Sequence, residues 1–178
     1  MLQKTSDLCD ACEGVQACFT QLQNYGLRRA FGGRIRTVRC ECAIELIRNT
    51  VNEPGDQCVL VIDGGGRLSS ALFGEVMASI AVRNEWAGVV VYGAIRDVRE
   101  IDSMDIGVKA LGTVSRRGKK SGAGDVDIPV NFGGTTFYPG RYLVADEDGV
   151  VTLPEGLTND DIAIENALDS TTSYANRR

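Results

Sequence analysis

The sequence predicts an α/β fold organised around a parallel crossover, with a second half made of short β pieces. Three observations carry this. CVLVID at 58 to 63 and GVVVYGAI at 88 to 95 are nearly continuous apolar runs, the pattern of strands covered on both faces. Between them lies ALFGEVMASIAVRNEWAG, where Val76, Met77, Ile80 and Ala81 recur at helical spacing. The short β pieces begin near Val126. A strand, a Gly-rich turn, a helix and a second strand are the sequence form of a right-handed parallel crossover. At 178 residues the chain suffices for one compact domain with a real core, and its 21 glycines against 4 prolines suit an α/β chain rich in tight turns.

Taken in order, residues 5 to 24 read as a mostly helical segment, with Thr5, Ser6 or Asp7 as cap candidates and Tyr25-Gly26 ending it. GRIRTVRCEC, 33 to 42, alternates Ile35, Val38 and Cys40 with arginines, as a strand with one wet face does. AIELIRNTVNEPG follows as a short amphipathic helix closed by Pro54-Gly55. After the crossover, GVKALG at 107 to 112 reads as a further strand. The β pieces are VDIPVNF, TTFYPG and YLVADEDGVVTLP, the last turning at Asp148-Gly149. TNDDIAIENALDSTTSYANRR reads as a capped helix with a frayed polar tail.

Composition narrows the chemistry. A net charge of −5 argues against general nucleic-acid binding, which needs a positive field. Arg116, Arg117, Lys119 and Lys120, in SRRGKKSGAG, are a local exception, read as a mobile solvated loop or a reader of a second carboxylate. No stretch reaches the length of a membrane span, the first residues lack a signal-peptide core, and the expected location is cytoplasmic. Of the six cysteines, Cys9 and Cys12 form a C-x-x-C and Cys40 and Cys42 a C-x-C, without the Gly-rich knuckles of a zinc site; they read as helix and strand residues. The histidine count is zero, which removes Ser-His-Asp and Cys-His catalysis, a histidine base and His-ligated zinc together. Chemistry is left to carboxylates, Arg, Lys, Tyr, backbone amides, water or a hard cation bound by oxygen. Gly64 and Gly66 start a G-x-G, but Ser69 stands where a dinucleotide fingerprint wants its third glycine.

The candidate site lies at GAIRDVRE, 93 to 100. Neighbours in a strand point to opposite faces, so Arg96 and Asp97 share a site only if the strand has ended and the chain is turning. Gly74-Glu75 opens the crossover helix, whose amides at Glu75, Val76 and Met77 would face the same crevice as an anion site. Arg96 would complete a carboxylate clamp, and Asp97 would face a cation. The same two residues also read as a structural ion pair.

VIDGGGRLSSALFGEVMASIAVRNEWAGVVVYGAIRDVREI, DIGVKALG and VNFGGTTFYPGRYLVADEDGVV resemble the RraA-like proteins, over roughly residues 5 to 155. That group includes regulators of ribonuclease activity and class II 4-hydroxy-4-methyl-2-oxoglutarate / 4-carboxy-4-hydroxy-2-oxoadipate aldolases. The resemblance implies a swivelling β/β/α-type domain assembled as a homotrimer or a pair of trimers. It implies that Arg96 and the helix-start amides, with Gly74 at the opening, hold a pyruvyl carboxylate and that Asp97 carries Mg2+ or Mn2+. Members acting only as ribonuclease regulators tend to lack the acid after the arginine, and Glu100 supplies the acid the aldolase signature wants three residues later.

The expected activity is therefore retro-aldol release of pyruvate, with oxaloacetate decarboxylation beside it, and Arg96, Asp97 and Glu75 as catalytic residues. A Schiff-base route would need a desolvated lysine, and Lys109 alone lies in a strand-like context. The alternative is a non-catalytic protein that binds and inhibits a ribonuclease. A methyltransferase label attached to the family finds no cofactor fingerprint here.

Overall fold

Two covered strands joined by a helix must return the chain in one direction, and the computed structural model, which describes residues 1–41, 43–120 and 122–162, builds outward from that pair. In chain order the elements are α1 (Thr5–Ala11), β1 (Gln16–Ala17), β2 (Gln23–Tyr25), β3 (Phe31–Cys40), α2 (Ile44–Asn52), β4 (Val59–Asp63), β5 (Ala71–Phe73) and α3 (Glu75–Arg83). They continue with β6 (Gly88–Ile95), α4 (Val98–Ile101), β7 (Gly107–Thr113), β8 (Gly124–Val126), β9 (Val130–Phe132), β10 (Thr135–Phe137), β11 (Tyr142–Ala145) and β12 (Val150–Thr152).

The large sheet runs β1-β12-β11-β3-β4-β6-β7-β2. Its centre is parallel and in register: Val38 pairs with Ile62, Ile62 with Val91, and Val91 with Ala110. Alternation then sorts the side chains. Leu60 and Ile62 join the cluster under α2 and α3, whereas Val59 and Val61 face Phe132, Phe137 and Leu143 of the β-rich half. The four apolar side chains of β4 are fully buried, each contributing about 1.5–3 kcal/mol. A third cluster of Leu8, Val144, Val151 and Leu153 seats α1 on the other side of β11 and β12. Phe31 lies across the starts of β6 and β7, where a Cβ at Gly88 or Gly107 would fall 2.2 or 2.1 Å from its ring. This is the mixed α/β, β/β/α-type layering expected, with its parallel crossover and β-rich C-terminal half.

Four local readings are corrected. The N-terminal helix stops at Ala11, Gly14 turns the chain with φ +85°, and residues 12–25 hold the edge strands β1 and β2 where helix was expected to 24. No side chain caps α1, whose cap residue is Lys4. Val76 is exposed where the periodicity placed it inward, and Ala71–Phe73, ahead of the helix, forms a short strand beside β6. The basic loop is pinned, as described below. Only the first turn of the C-terminal helix, 159–162, is described, with the Thr158 amide and hydroxyl donating to Asp161; the remainder and Cys42 lie outside the described residues. Among the described residues no helix is long and apolar enough to cross a membrane.

Candidate functional site

β6 ends at Ile95, and the Arg96 amide donates to the Phe73 carbonyl at 3.0 Å, so β5 ties the charged turn to the start of α3. Asp97 takes a left-handed conformation, φ 58°, which aspartate tolerates better than most residues, and caps α4 through its carbonyl. That turn brings both side chains together: Arg96 Nε lies 3.2 Å from Asp97 Oδ2, each side chain about one-third exposed at 36% and 33%.

Gly74 caps α3, and a Cβ there would lie 2.8 Å from Asp97 Oδ2 and 3.2 Å from Arg96 Cγ. The close approach, not the extended backbone, calls for glycine. The helical ladder starts with the Ala78 amide on the Gly74 carbonyl at 3.0 Å, and no side chain caps the helix. The amides of Glu75, Val76 and Met77 therefore have no partner inside α3.

These groups open onto a cleft of about 140 Å³. Gly74, Val76, Met77, Arg96 and Asp97 line it with β5, with Ile44 and Arg48 of α2, and with Arg117. Along β5, Phe73 is bonded to Arg96 and Ala71 bridges to Arg117, which sets the two arginines at opposite ends of that strand. The structure thus gathers five of the six predicted site residues. Glu75 contributes its place in the first turn, but its side chain is exposed and does not line the cleft, nor does that of Glu100. Among the described residues Asp97 is the one lining carboxylate against three guanidiniums, so the local charge of the cleft is positive although the chain is acidic overall.

Arg48, Ile44 and Phe73 were not anticipated. Ile44 and Arg48 sit one turn apart on α2, a spacing visible in the sequence, but nothing local reveals that this face meets β5. Arg117 belongs to the loop read as mobile. Its backbone is tied to both walls: the Ala71 amide donates to the Arg116 carbonyl, the Gly118 amide to the Ala71 carbonyl, and the Ile44 and Glu45 amides to Lys119 and Lys120. The side chains of Arg116, Arg117, Lys119 and Lys120 stay exposed.

Lys109 falls elsewhere. It pairs with Val90 on the sheet face opposite α2 and α3, is 1% exposed, and donates to the Asp146 carbonyl. Burial lowers its pKa, partly offset by Asp146. No lysine lines the cleft. The triple glycine is also committed: the Gly64 and Gly66 amides donate to the Tyr92 carbonyl and the Gly65 amide to Asp63, which leaves none of the three to cradle a phosphate.

Fold and site together define a β/β/α-layered protein with an arginine-rich cleft at the carboxyl ends of its parallel strands. The chain belongs to the RraA-like family: the family profile described as Aldolase/RraA matches residues 5–152. A protein of Aromatoleum aromaticum, provisionally named 4-hydroxy-4-methyl-2-oxoglutarate aldolase, is 48% identical over 155 residues, 86% of this chain and 98% of its own. The structure of the RNA-processing inhibitor RraA from Thermus thermophilis superposes with a TM-score of 0.85 at 40% identity, covering 89% of this chain and 96% of that one. A Geobacillus kaustophilus structure described as an S-adenosylmethionine:2-dimethylmenaquinone methyltransferase gives 0.83 at 42% identity, over 87% and 97%.

Proposed function

We propose that the chain is a divalent-metal-dependent aldolase that releases pyruvate from 4-hydroxy-4-methyl-2-oxoglutarate or 4-carboxy-4-hydroxy-2-oxoadipate type substrates, with oxaloacetate decarboxylation as a side activity. The observation carrying it is the convergence of Arg96, Asp97 and the unpartnered α3 amides around Gly74. The relatives' shared aldolase name supports the reaction class.

In this reading Arg96 and the amides of Glu75, Val76 and Met77 bind the carboxylate of the 2-oxo acid, fixing the keto group beside Asp97. Asp97 would hold Mg2+ or Mn2+. The fit is that of one hard oxygen donor with space left beside it by a missing Cβ, and among the described residues no cluster of three ligands exists, so water and substrate oxygens would complete the shell. When bound, such a cation stabilises negative charge on the keto oxygen. As the bond beyond the methylene breaks, its electron pair passes to the pyruvyl half, whose methylene carbon then takes a proton from water to become the methyl of pyruvate, and the hydroxyl-bearing carbon becomes a carbonyl. The hydroxyl proton leaves to water held at the Asp97 carboxylate, since no histidine exists and, among the described residues, no second carboxylate lines the cleft. A homotrimer, or a pair of trimers, accompanies this proposal, and light scattering giving three or six chain masses checks it.

The test is pyruvate release from 4-hydroxy-4-methyl-2-oxoglutarate, followed by coupled NADH oxidation, with added magnesium or manganese. Activity lost to a chelator and restored by metal is expected; no pyruvate under any metal overturns the reading. The second reading, a cytoplasmic ribonuclease inhibitor, is favoured by the likeness to the Thermus RNA-processing inhibitor. Capture of a ribonuclease by a protein without aldolase activity would establish it instead.

A further inference from the structure

We infer that Arg48 and Arg117 form a second anion subsite, at the α2 end of the cleft, that receives the carboxylate of a dicarboxylic 2-oxo acid remote from its keto group. The identity of the near end rests on the aldolase reading; the far end rests on its own observations.

Among the described residues three guanidiniums and one carboxylate line the cleft, and Arg96 already neighbours that carboxylate. Arg48 and Arg117 make no ion pair among the described residues, although Arg28, Arg36, Arg39 and Arg141 all find acids. Two cations on one cleft without an acid of their own raise its potential, and an anion relieves the cost. They come from separate elements fixed by backbone bonds. Arg48 is held by α2, and Arg117 by a bridge to Ala71 and the Gly118 amide on the Ala71 carbonyl. Arginine forks suit carboxylates, and two from different walls select for an anion at one place rather than a general positive surface. The volume of about 140 Å³ is roughly ten times the ~10–15 Å³ needed by one ordered water, room for a small multi-atom ligand rather than a bound solvent molecule.

Calorimetric titration with pyruvate and with 2-oxoglutarate, in the presence of magnesium, tests this on the intact protein and on Arg48→Gln, Arg117→Gln and Arg96→Gln. The wild type is expected to bind 2-oxoglutarate at least tenfold more tightly than pyruvate. Arg48→Gln and Arg117→Gln should each weaken 2-oxoglutarate about tenfold while changing pyruvate less than twofold, the scale of one charge-assisted hydrogen bond. Arg96→Gln should weaken both. Equal affinity of the wild type for the two ligands, binding of neither, or parallel losses of both in the Arg48 and Arg117 variants would overturn the subsite. Failure of the aldolase reading appears elsewhere, as absent pyruvate release with this binding difference intact.

Discussion

On the sheet face away from the helices, the buried charged pair Lys109 and Asp146 is hydrogen-bonded; on the helix face, at the carboxyl ends of the strands, the partly exposed charged groups are left open. Lys109 donates to the Asp146 carbonyl, and the Asp146 carboxylate accepts from the Thr5 amide and hydroxyl at 2.7 and 2.6 Å and from the Asp148 and Gly149 amides. Across the sheet, three α3 amides have no partner inside their helix, Arg96 and Asp97 are paired with each other, and among the described residues Arg48 and Arg117 make no ion pair. A charged group buried for stability must be fully hydrogen-bonded, because an orphan costs more than a made bond returns. Groups left open in a cleft are available to something that arrives. The difference separates a clasp holding α1 from a site, although both use the same residue types.

Substitutions sharpen the contrast. The largest effect is expected at Arg96→Ala, which should lower kcat/KM for pyruvate release by about a thousandfold, or about 4 kcal/mol, with unchanged circular dichroism. Next comes Asp146→Asn, which should cost about 2–3 kcal/mol of stability by urea titration while leaving turnover per folded molecule intact. Its pH dependence has a fixed sign. Burial works to raise the Asp146 pKa, but hydrogen bonds from Thr5, Asp148 and Gly149 outweigh it and hold the group below its ordinary value. A depressed folded pKa contributes stability above the unfolded value near 3.9 and loses it as pH falls through the lower folded one. The gap between wild type and Asp146→Asn should therefore narrow below about pH 4.

Gly74→Ala should follow, with a loss of about ten- to a hundredfold in kcat/KM as its Cβ displaces the Asp97 carboxylate, and little change in stability. Smaller still, Lys109→Met should keep turnover per folded molecule within about twofold and borohydride should trap no pyruvate adduct, since Lys109 faces the other side of the sheet. Glu75→Gln should be the mildest, within about threefold; a larger loss would bring its carboxylate into the reaction.

Legibility in the sequence followed the range of the interactions. β4, β6, α2 and α3 are set by runs of five to nine residues, and their periodicity showed them. Arg96, Asp97 and Gly74 were readable because strand end and helix start mark the two ends of one crossover. β1 and β2 were not, because their pairing partners are Thr152 and Ala110, far along the chain, and nothing within 12–24 advertises an edge strand. The α2 wall was hidden for the same reason. Ile44 and Arg48 read as an ordinary amphipathic face until the 115–120 loop bridges Ala43 and Ala71 and folds Arg117 beside them. Val76 misled in another way, since a helix end facing a cleft presents an apolar residue to solvent that periodicity assigns to the core.

The role of Asp97 is tested most directly by pyruvate release from 4-hydroxy-4-methyl-2-oxoglutarate as a function of manganese concentration, in the wild type and in Asp97→Ala. Saturable activation of the wild type with no activation of the variant is the predicted result. Superimposable activation curves would contradict it.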